Sequence, residues 1–367
     1  MTVTERTAEQ FEAASFPDAA STASTASAAS AASAASTAAL ASVTASTAST
    51  ASTTAHVPVL PQETLDGLAA QPGGVFIDGT LGGAGHTARL LDATAPNGRV
   101  LAIDADLAAL ERAHAWERLA APLSEGRLLL RQGNFTRLAE FAREAGIAPV
   151  DGVLLDLGLS SDQLADRARG FSFTGEGALD MRFDQTQGET AADLLDTLPE
   201  EELADLFWRY GDERRSRPIA RRIVETRKRQ PVTRADELAR LVASIVHGRP
   251  GGVHPATRVF QALRIAVNDE LGSLEAALPA ALEVTRPGGR IAVISFHSLE
   301  DRIVKRFFQA EQRGCICPPE LPACVCGRSP RLRIVTRHPI TAGEAELADN
   351  PRARSAKLRV AERLDAA

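Results

Sequence analysis

The chain has 367 residues, enough for two domains, and its 44% hydrophobic and 24% charged residues are typical of a globular protein. No run of about 18 apolar residues occurs, so the sequence indicates no transmembrane helix. The net charge of −6 does not suggest nucleic-acid binding, although a local basic patch on an acidic protein can still bind RNA. All four cysteines lie between residues 315 and 326, unlike the disulfides of a secreted fold, and we expect a cytoplasmic location.

The first 55 residues are predicted to be a disordered tail. Residues 21–55 contain only Ala, Ser and Thr apart from Leu40 and Val43. Such a segment buries too little apolar surface to offset the entropy lost on ordering. A helical Ala-rich segment is the alternative, but the many Ser and Thr residues argue against it.

A glycine-rich stretch follows the first predicted helix, which covers roughly Pro61 to Ala70. Val75–Ile77 form a short apolar run that suits a buried strand, and Asp78 closes it. Four glycines between residues 79 and 85 then lead into a helix near Thr87. A strand, a glycine loop and a helix start together indicate a nucleotide-type cofactor site. The pattern is not G-x-G-x-x-G, so a dinucleotide site is poorly supported, and a plain turn is the alternative.

Three further apolar runs predict a parallel sheet. They cover residues 100–104, 128–132 and 150–157 and alternate with helical segments, one of them predicted at 106–119. Ligands of such sheets lie beyond the carboxyl ends of the strands. The residues expected at that edge are Asp78, Asp104, Phe135 and Asp156.

Two of these residues have specific candidate roles. Asp104 lies 22 positions after Gly82, the spacing of an acid that accepts hydrogen bonds from both ribose hydroxyls of a nucleotide. Capping the next helix is its alternative role. The ring of Phe135 could lie against an adenine or in the core, and the sequence does not decide between these.

Residues 166–255 are predicted to form an inserted helical domain, because no convincing strand occurs there. Helices are expected at 191–197, 200–210, 218–228 and 234–246, and Thr233 with Asp236 resembles a capping box. From Arg209 to Arg234 the chain carries ten Arg or Lys against three acids, a net charge of +7. This run suits a phosphate-binding surface, and a solvated helix face is the alternative.

The α/β pattern resumes in residues 256–367. Apolar residues from Phe260 to Leu278 recur at intervals of three and four, which predicts one long amphipathic helix ended near Pro287. A fifth strand is expected at 290–296, then a helix at 299–312. The closing strands are expected at 332–336 and 357–361.

The four cysteines form a loop at 315–326 and are candidate metal ligands: Cys315, Cys317, Cys324 and Cys326. Four thiolates can hold zinc tetrahedrally. The C-x-C spacing matches known zinc sites less well than C-x-x-C does, and reduced free thiols are the alternative.

Several stretches together resemble the bacterial 16S rRNA (cytosine-N4) methyltransferases, the small-subunit methyltransferase H or MraW family. They span about residues 56–365 in order, and they are DGTLGGAGH (78–86), LLDLGLSSDQL (154–164), RGFSF (169–173), LDMRF (179–183), HPATRVFQALRIAVN (254–268), ISFHSLEDRIVKRFF (294–308) and NPRARSAKLR (350–359). The resemblance implies an α/β fold, a Rossmann-like S-adenosylmethionine-dependent methyltransferase sheet with an inserted all-helical domain. It also implies methylation of a decoding-region cytidine in 16S rRNA, within the small ribosomal subunit.

The resemblance also implies cofactor positions, carried over by motif: Ala84, Gly85, His86, Asp104, Phe135, Asp156 and Gln163. The family motif often has glycine at the position of Ala84, so only a backbone role is expected there. Many amino-methyltransferases place Asp/Asn-Pro-Pro-aromatic after the fourth strand, where this chain has Asp156-Leu-Gly-Leu. Asp156 is therefore also a candidate catalytic residue, which would orient the cytosine amine and stabilise its developing charge.

The prolines and the aromatic residue of that motif are absent, so the target base must be sandwiched by other residues. Phe171, Phe173 and Phe296 are the candidates. His297 could relay a proton, and a structural histidine at the end of a strand is the alternative. Two other functions remain open at this point: a nicotinamide-dependent oxidoreductase and a non-catalytic RNA-binding or ribosome assembly factor. The sequence does not indicate an oligomeric state.

Overall fold

The structure, a computed structural model, describes residues 58–173, 177–248, 254–318, 321 and 323–365. The tail expected at residues 1–55 lies outside them. Among the described helices none combines the length and the apolar character needed to cross a bilayer.

One mixed sheet of seven strands forms the centre of the fold, and all seven predicted strands are confirmed. The strands are β1 (Val75–Asp78), β2 (Arg99–Asp104), β3 (Leu128–Gln132), β4 (Val150–Asp156), β5 (Thr285–Ser295), β6 (Leu332–Ile334) and β7 (Lys357–Arg363). Their order in the sheet is β3-β2-β1-β4-β5-β7-β6. Strands β1 to β5 run parallel, and β7 is antiparallel to both of its neighbours.

Both faces of the sheet are covered, which explains why its central strands are apolar throughout. Successive residues of a strand point to opposite faces. Phe76 belongs to one hydrophobic cluster and Ile77 to the other, and Val100 and Leu101 divide in the same way. The helices that accompany the sheet are α1 (Pro61–Leu68), α2 (Gly85–Ala93), α3 (Leu107–Ala115), α4 (Glu117–Ser124), α5 (Leu138–Glu144), α6 (Ser161–Ala165), α12 (Glu270–Val284), α13 (Ser298–Arg313) and α14 (Glu344–Asp349).

The inserted segment has its own hydrophobic core. It is built from α7 (Ala191–Thr197), α8 (Glu200–Gly211), α9 (Ser216–Arg227), α10 (Ala235–Ala243) and α11 (Thr257–Asn268). Apart from a single bridge between Ala178 and Arg234, the described residues of this segment form no strand. Helix α11, which follows the predicted boundary at 255, packs its Val259, Phe260 and Leu263 into this core.

Two predicted helices are interrupted in the structure. The helix expected at 106–119 breaks at Trp116, which is extended and separates α3 from α4. The long helix expected through Leu278 breaks at Asp269, which is left-handed with φ of 45°. A Cβ atom at Gly272 would lie 2.6 Å from the Asp269 carboxylate, so the glycine makes room for this turn. The apolar spacing continues across the break, and spacing alone therefore could not reveal it.

The predicted capping box of Thr233 and Asp236 is wrong. Helix α10 has Arg234 at its N-cap, without a side-chain cap. Asp236 instead accepts hydrogen bonds from the guanidinium groups of Arg234 at 3.0 Å and Arg240 at 2.7 Å. These charge-assisted donors take the carboxylate that a capping box would use to accept the Thr233 N–H.

Candidate active site

A cleft opens at the carboxyl ends of β1, β2 and β4, where the sequence placed the cofactor. Of the seven positions expected to bind it, six line this cleft: Gly85, His86, Asp104, Phe135, Asp156 and Gln163. The seventh, Ala84, is the N-cap of α2 and adopts a left-handed conformation with φ of 60°. The first turn of α2, whose backbone N–H groups lack intrahelical partners, thus begins at the cleft.

The glycine loop is held by the acid that ends β1. Asp78 is fully buried, and it accepts hydrogen bonds from the Thr87 hydroxyl at 2.6 Å and the Thr80 N–H at 3.1 Å. Burial raises the pKa of this carboxyl. A Cβ atom at Gly79 would lie 2.6 Å from the Leu155 side chain, so any larger residue there would have to displace this buried leucine. Asp78 is therefore a structural residue that fixes the loop against α2.

Asp104 ties the second strand to the same loop. Its Oδ2 accepts the Gly82 N–H at 2.8 Å, and its Oδ1 accepts the Asp106 N–H at 2.9 Å. Burial raises the pKa of Asp104 to about 6. A carboxylate offers about four lone-pair sites, so each oxygen can accept one more hydrogen bond from a ligand in the cleft. The helix cap considered for Asp104 falls instead to Asp106, which accepts from the Ala108 N–H.

Phe135 lies between the core and the cleft. It begins a short 3-10 turn after β3 and packs against the cluster on one face of the sheet while also lining the cleft. Asn134 holds this turn, since its side chain accepts from the Thr136 N–H at 2.9 Å and donates to the Ser273 hydroxyl at 3.0 Å. Both uses considered for the ring are therefore compatible with its position.

Asp156 ends β4 in the cleft, and one of its oxygens has no protein partner. Its Oδ1 is buried and makes no hydrogen bond within the described residues. Its Oδ2 lies 3.6 Å from His86 Nε2. Burial and the nearby Asp78 raise the pKa of Asp156 to about 8, against the opposing charge of Arg352. A buried acceptor without a partner is costly, which points to a ligand donor or cation at this place.

Gln163 belongs to a buried network that joins the sheet to the insertion. Its Oε1 accepts the Ser160 N–H at 3.0 Å and its amide donates to Asp106 at 3.1 Å. Asp106 also pairs with the buried Arg169, whose guanidinium donates to the carbonyls of Arg182 and Phe183. One amide N–H of Gln163 is left for a ligand. Arg169, which the sequence reasoning passed over within RGFSF, thus connects the insertion to Asp106 beside the sheet.

The sequence reasoning missed three charged residues that line the cleft: Glu270, Glu300 and Arg352. Glu270 makes a two-point ion pair with Arg264 at 2.7 and 2.9 Å. Arg352 donates to the Ser161 hydroxyl and the Leu159 carbonyl. Arg352 lies within the NPRARS motif, near the end of the chain. Its neighbours in the sequence do not indicate that it lies at the same edge of the sheet as β4.

Glu300 explains the role of His297. Glu300 accepts the Phe296 N–H at 2.8 Å and the His297 N–H at 3.2 Å, while His297 Nδ1 accepts the Glu300 N–H at 3.4 Å. This reciprocal arrangement caps α13. His297 caps this helix and does not itself line the cleft, which favours the structural alternative over the proton relay.

Of the three aromatic residues expected to sandwich a base, only Phe296 lines the cleft, and Phe183 joins it there. Phe171 is buried in the insertion and stacks on Phe183 at 5.8 Å. Phe173 stacks on His254 at 4.2 Å. Phe171 and Phe173 do not line the cleft and pack within the insertion, which favours Phe296 and Phe183 for contact with a base.

The basic run of the insertion is mostly exposed, with two exceptions. Arg227 donates to the carbonyls of Leu195 and Leu198 at 2.5 and 2.8 Å, and Arg234 pairs with Asp236. Both are half-buried structural residues. Trp208, just before the run, exposes 54% of its surface. The exposed cations are Arg209, Arg214, Arg215, Arg217, Arg221, Arg222, Lys228 and Arg229.

Comparison with known proteins gives a family match over most of the chain. The MraW methylase family matches residues 53–364. A ribosomal RNA small subunit methyltransferase H of Thermomicrobium roseum is 56% identical over 311 residues, covering 85% of this chain and 94% of that protein. The protein of the same name from Geobacter sulfurreducens is 53% identical over 315 residues, covering 84% of this chain and 99% of its own.

Solved structures are also similar, at low identity. An rRNA methylase from Streptococcus thermophilus is 12% identical with a TM-score of 0.39, over 83% of this chain and 97% of that one. SMU.1697c of Streptococcus mutans, described as a putative methyltransferase in complex with SAH, is 13% identical with a TM-score of 0.36, over 83% and 98% of the two chains. These values support no functional conclusion.

Proposed function

Because the chain belongs to the MraW methylase family, we propose that it transfers a methyl group from S-adenosylmethionine to the N4 amine of a cytidine in the decoding region of 16S rRNA. The observation that carries the proposal is the buried Oδ1 of Asp156 at the end of β4, which accepts no hydrogen bond from the described residues and lies in the same cleft as the glycine loop and Asp104. When bound, the cofactor supplies a methyl group on a positively charged sulfur, and no metal is needed for its transfer.

The residues of the cleft fit such a cofactor. The glycine loop lets the cofactor approach the protein backbone closely, and the start of α2 supplies free backbone N–H groups. Asp104 has acceptor sites to spare for two ribose hydroxyls, and Phe135 offers an apolar ring for the adenine. Four carboxyl groups line the cleft with one arginine, Arg352, and a bound sulfonium would favour their ionised forms: Asp104, Asp156, Glu270 and Glu300.

Asp156 is proposed to act on the acceptor amine as well. The exocyclic nitrogen of cytosine shares its lone pair with the ring, and an acceptor of its N–H can turn that lone pair towards the methyl group. The same carboxylate stabilises the positive charge that develops on the nitrogen during transfer. Phe296 and Phe183, which line the cleft, are proposed to hold the base while in-line geometry supplies most of the rate.

The exposed cations of the basic run, residues 209–234 of the insertion, are proposed as the rRNA-binding surface. Its eight exposed cations suit phosphate contacts, and the exposed Trp208 offers a stacking surface for a base. The assembled small subunit is proposed as the substrate.

The test is a methylation assay with small subunits from cells that lack this protein. The purified protein, radiolabelled S-adenosylmethionine and either free 16S rRNA or 30S subunits are incubated, and the nucleosides are separated by mass spectrometry. N4-methylcytidine formed in 30S subunits supports the proposal. Label in another nucleoside would change the assigned acceptor, and no incorporation into either substrate would contradict the activity.

A further inference from the structure

The four cysteines outside the cleft are arranged as a tetrahedron. Cys324 Sγ lies 3.5 Å from Cys315, 4.0 Å from Cys317 and 3.5 Å from Cys326, and Cys326 lies 3.8 Å from Cys315. All four sulfur atoms fall within 4.8 Å of one another. Zinc–sulfur bonds of about 2.3 Å in tetrahedral geometry place neighbouring sulfurs about 3.8 Å apart. We propose that Cys315, Cys317, Cys324 and Cys326 bind one structural zinc ion.

The alternatives fit the sulfur positions less well. A disulfide requires two sulfurs about 2.05 Å apart, and it would give no reason for the other two to gather around it. An iron–sulfur cluster spreads its cysteines over several iron atoms, whereas these four sulfurs surround a single point. All four ligand positions are filled by protein, so the site keeps no open position for catalysis.

The described apolar residues between the cysteines pack too little to fold the loop without a metal. Ile316 and Val325, which lie between the paired cysteines, expose 64% and 78% of their surfaces. The Val325 N–H donates to Cys317 Sγ at 3.4 Å, a contact that stabilises a thiolate. The loop is anchored at its end, where Arg331 and Arg328 bind Glu311 of α13. The zinc ion would therefore supply the cross-link that hydrophobic burial does not provide here.

The test starts from the full-length protein, purified without a metal-binding tag. Elemental analysis should give about one zinc per chain, and a thiol reagent should react slowly with the native protein until a chelator is added. Fewer than about 0.1 zinc per chain, four immediately reactive thiols, or a disulfide would overturn the proposal. One iron per chain instead would overturn the assignment to zinc.

A pair of variants assigns the metal to these cysteines. Cys324→Ser removes the sulfur that is close to the other three, and it should lower the zinc content at least tenfold. Val325→Ala, in the same loop, keeps the backbone N–H and all four sulfurs and should retain the metal. Equal zinc content in both variants would place the metal elsewhere. Because the native metal and thiol measurements need no variant, they decide the proposal even if Cys324→Ser fails to fold.

Discussion

Asp104 accepts the backbone N–H of Gly82 at 2.8 Å, so the carboxylate proposed for the ribose also holds the glycine loop to β2. The two residues are 22 positions apart in the chain and meet only because β1 and β2 are parallel neighbours in the sheet. Any substitution of Asp104 therefore acts on the loop and on the ligand together, and an experiment must separate these two effects.

We expect Asp104→Ala to weaken binding of S-adenosylhomocysteine by roughly 1–3 kcal/mol, because it removes a buried acceptor. Calorimetry measures the affinity. The control is an analogue that lacks both ribose hydroxyls, tested against the wild type and the variant. If Asp104 binds the ribose, the substitution should weaken binding of this analogue less than binding of S-adenosylhomocysteine. An equal loss for both ligands would mean that Asp104 acts only through the loop.

The parallel sheet was predictable because its central strands are apolar on both faces. The placement of three acids and one aromatic ring at strand ends followed from the rule that parallel strands present their carboxyl ends at one edge: Asp78, Asp104, Asp156 and Phe135. The breaks at Trp116 and Asp269 were not predictable, since the apolar spacing runs through both. A backbone turn can leave the hydrophobic pattern intact when the helices on either side keep the same buried face.

The charged residues that complete the cleft were beyond local sequence reasoning. Arg352 meets Ser161 and Leu159 across 190 residues or more, and its own neighbours in the chain give no hint of this contact. The positions of Phe171 and Phe173 outside the cleft were equally hard to foresee, because their motif packs within the insertion. Long-range contacts of this kind depend on the tertiary fold.

The proposed role of the basic run in rRNA binding can be tested with charge reversals that leave its structural arginines unchanged. Arg217, Arg222 and Lys228 are exposed, and none forms an ion pair within the described residues. Arg221 pairs with Glu200 and Arg227 holds two carbonyls, so both are left unchanged. Reversing the three charges to Glu should weaken rRNA binding and flatten its salt dependence, with a slope smaller by about 2–3. Cofactor affinity should not change.

The matched control reverses Arg302, Lys305 and Arg306, three exposed cations on α13 outside the insertion. This change gives the same net charge and therefore the same long-range repulsion of RNA. If both triple variants show the same slope, the basic run is a solvated face and not a binding surface.

The raised pKa of Asp156 predicts a pH-dependent preference for the charged cofactor. With a pKa of about 8 in the free protein, the carboxyl is mostly neutral at pH 7. A sulfonium binds the ionised form more tightly, so affinity for S-adenosylmethionine should rise roughly eightfold from pH 7 to pH 8.5. S-adenosylhomocysteine, which has a neutral sulfur, should show less increase. If Asp104 binds the ribose, which both ligands share, its titration cancels in their ratio.

Calorimetry of both ligands at several pH values measures this preference. In Asp156→Asn the ratio of the two affinities should lose most of its pH dependence. The ligands' own amino groups titrate in the same way with both proteins, so comparing the variant with the wild type removes their contribution. A ratio that is constant with pH in the wild type, or that varies equally in the variant, would show that Asp156 does not face the sulfonium.

Ionisation of the buried Asp156 should also lower the free energy of unfolding of the free protein. Its pKa is about 8 when folded and 3.8 in its ordinary state, so between these values the folded protein holds a proton that the unfolded chain has released. The free energy of unfolding therefore falls as pH rises through this window. Asp156→Asn should be more stable than the wild type by roughly 1–3 kcal/mol at pH 8 and by less at pH 5. Thermal unfolding at both pH values, with the exposed Asp92→Asn as control, measures the difference.

The same substitution decides whether Asp156 only binds the cofactor or also orients the amine. Asn keeps the size and one acceptor oxygen but removes the charge that would stabilise the developing positive nitrogen. If Asp156 acts on the amine, the methyl-transfer rate at saturating cofactor should fall about 10²-fold or more. If it only binds the cofactor, affinity should fall and the saturated rate should survive.

Single-turnover kinetics on 30S subunits separates these outcomes, because product release does not enter the measured rate. The pH profile adds a second readout. In the wild type the rate should rise as Asp156 ionises, whereas in Asp156→Asn that rise should disappear even if a residual rate remains. A saturated rate near that of the wild type, with its pH profile intact, would leave Asp156 as a cofactor ligand. In that case the remaining cleft carboxylates, Glu270 and Glu300, would become the next candidates for the amine.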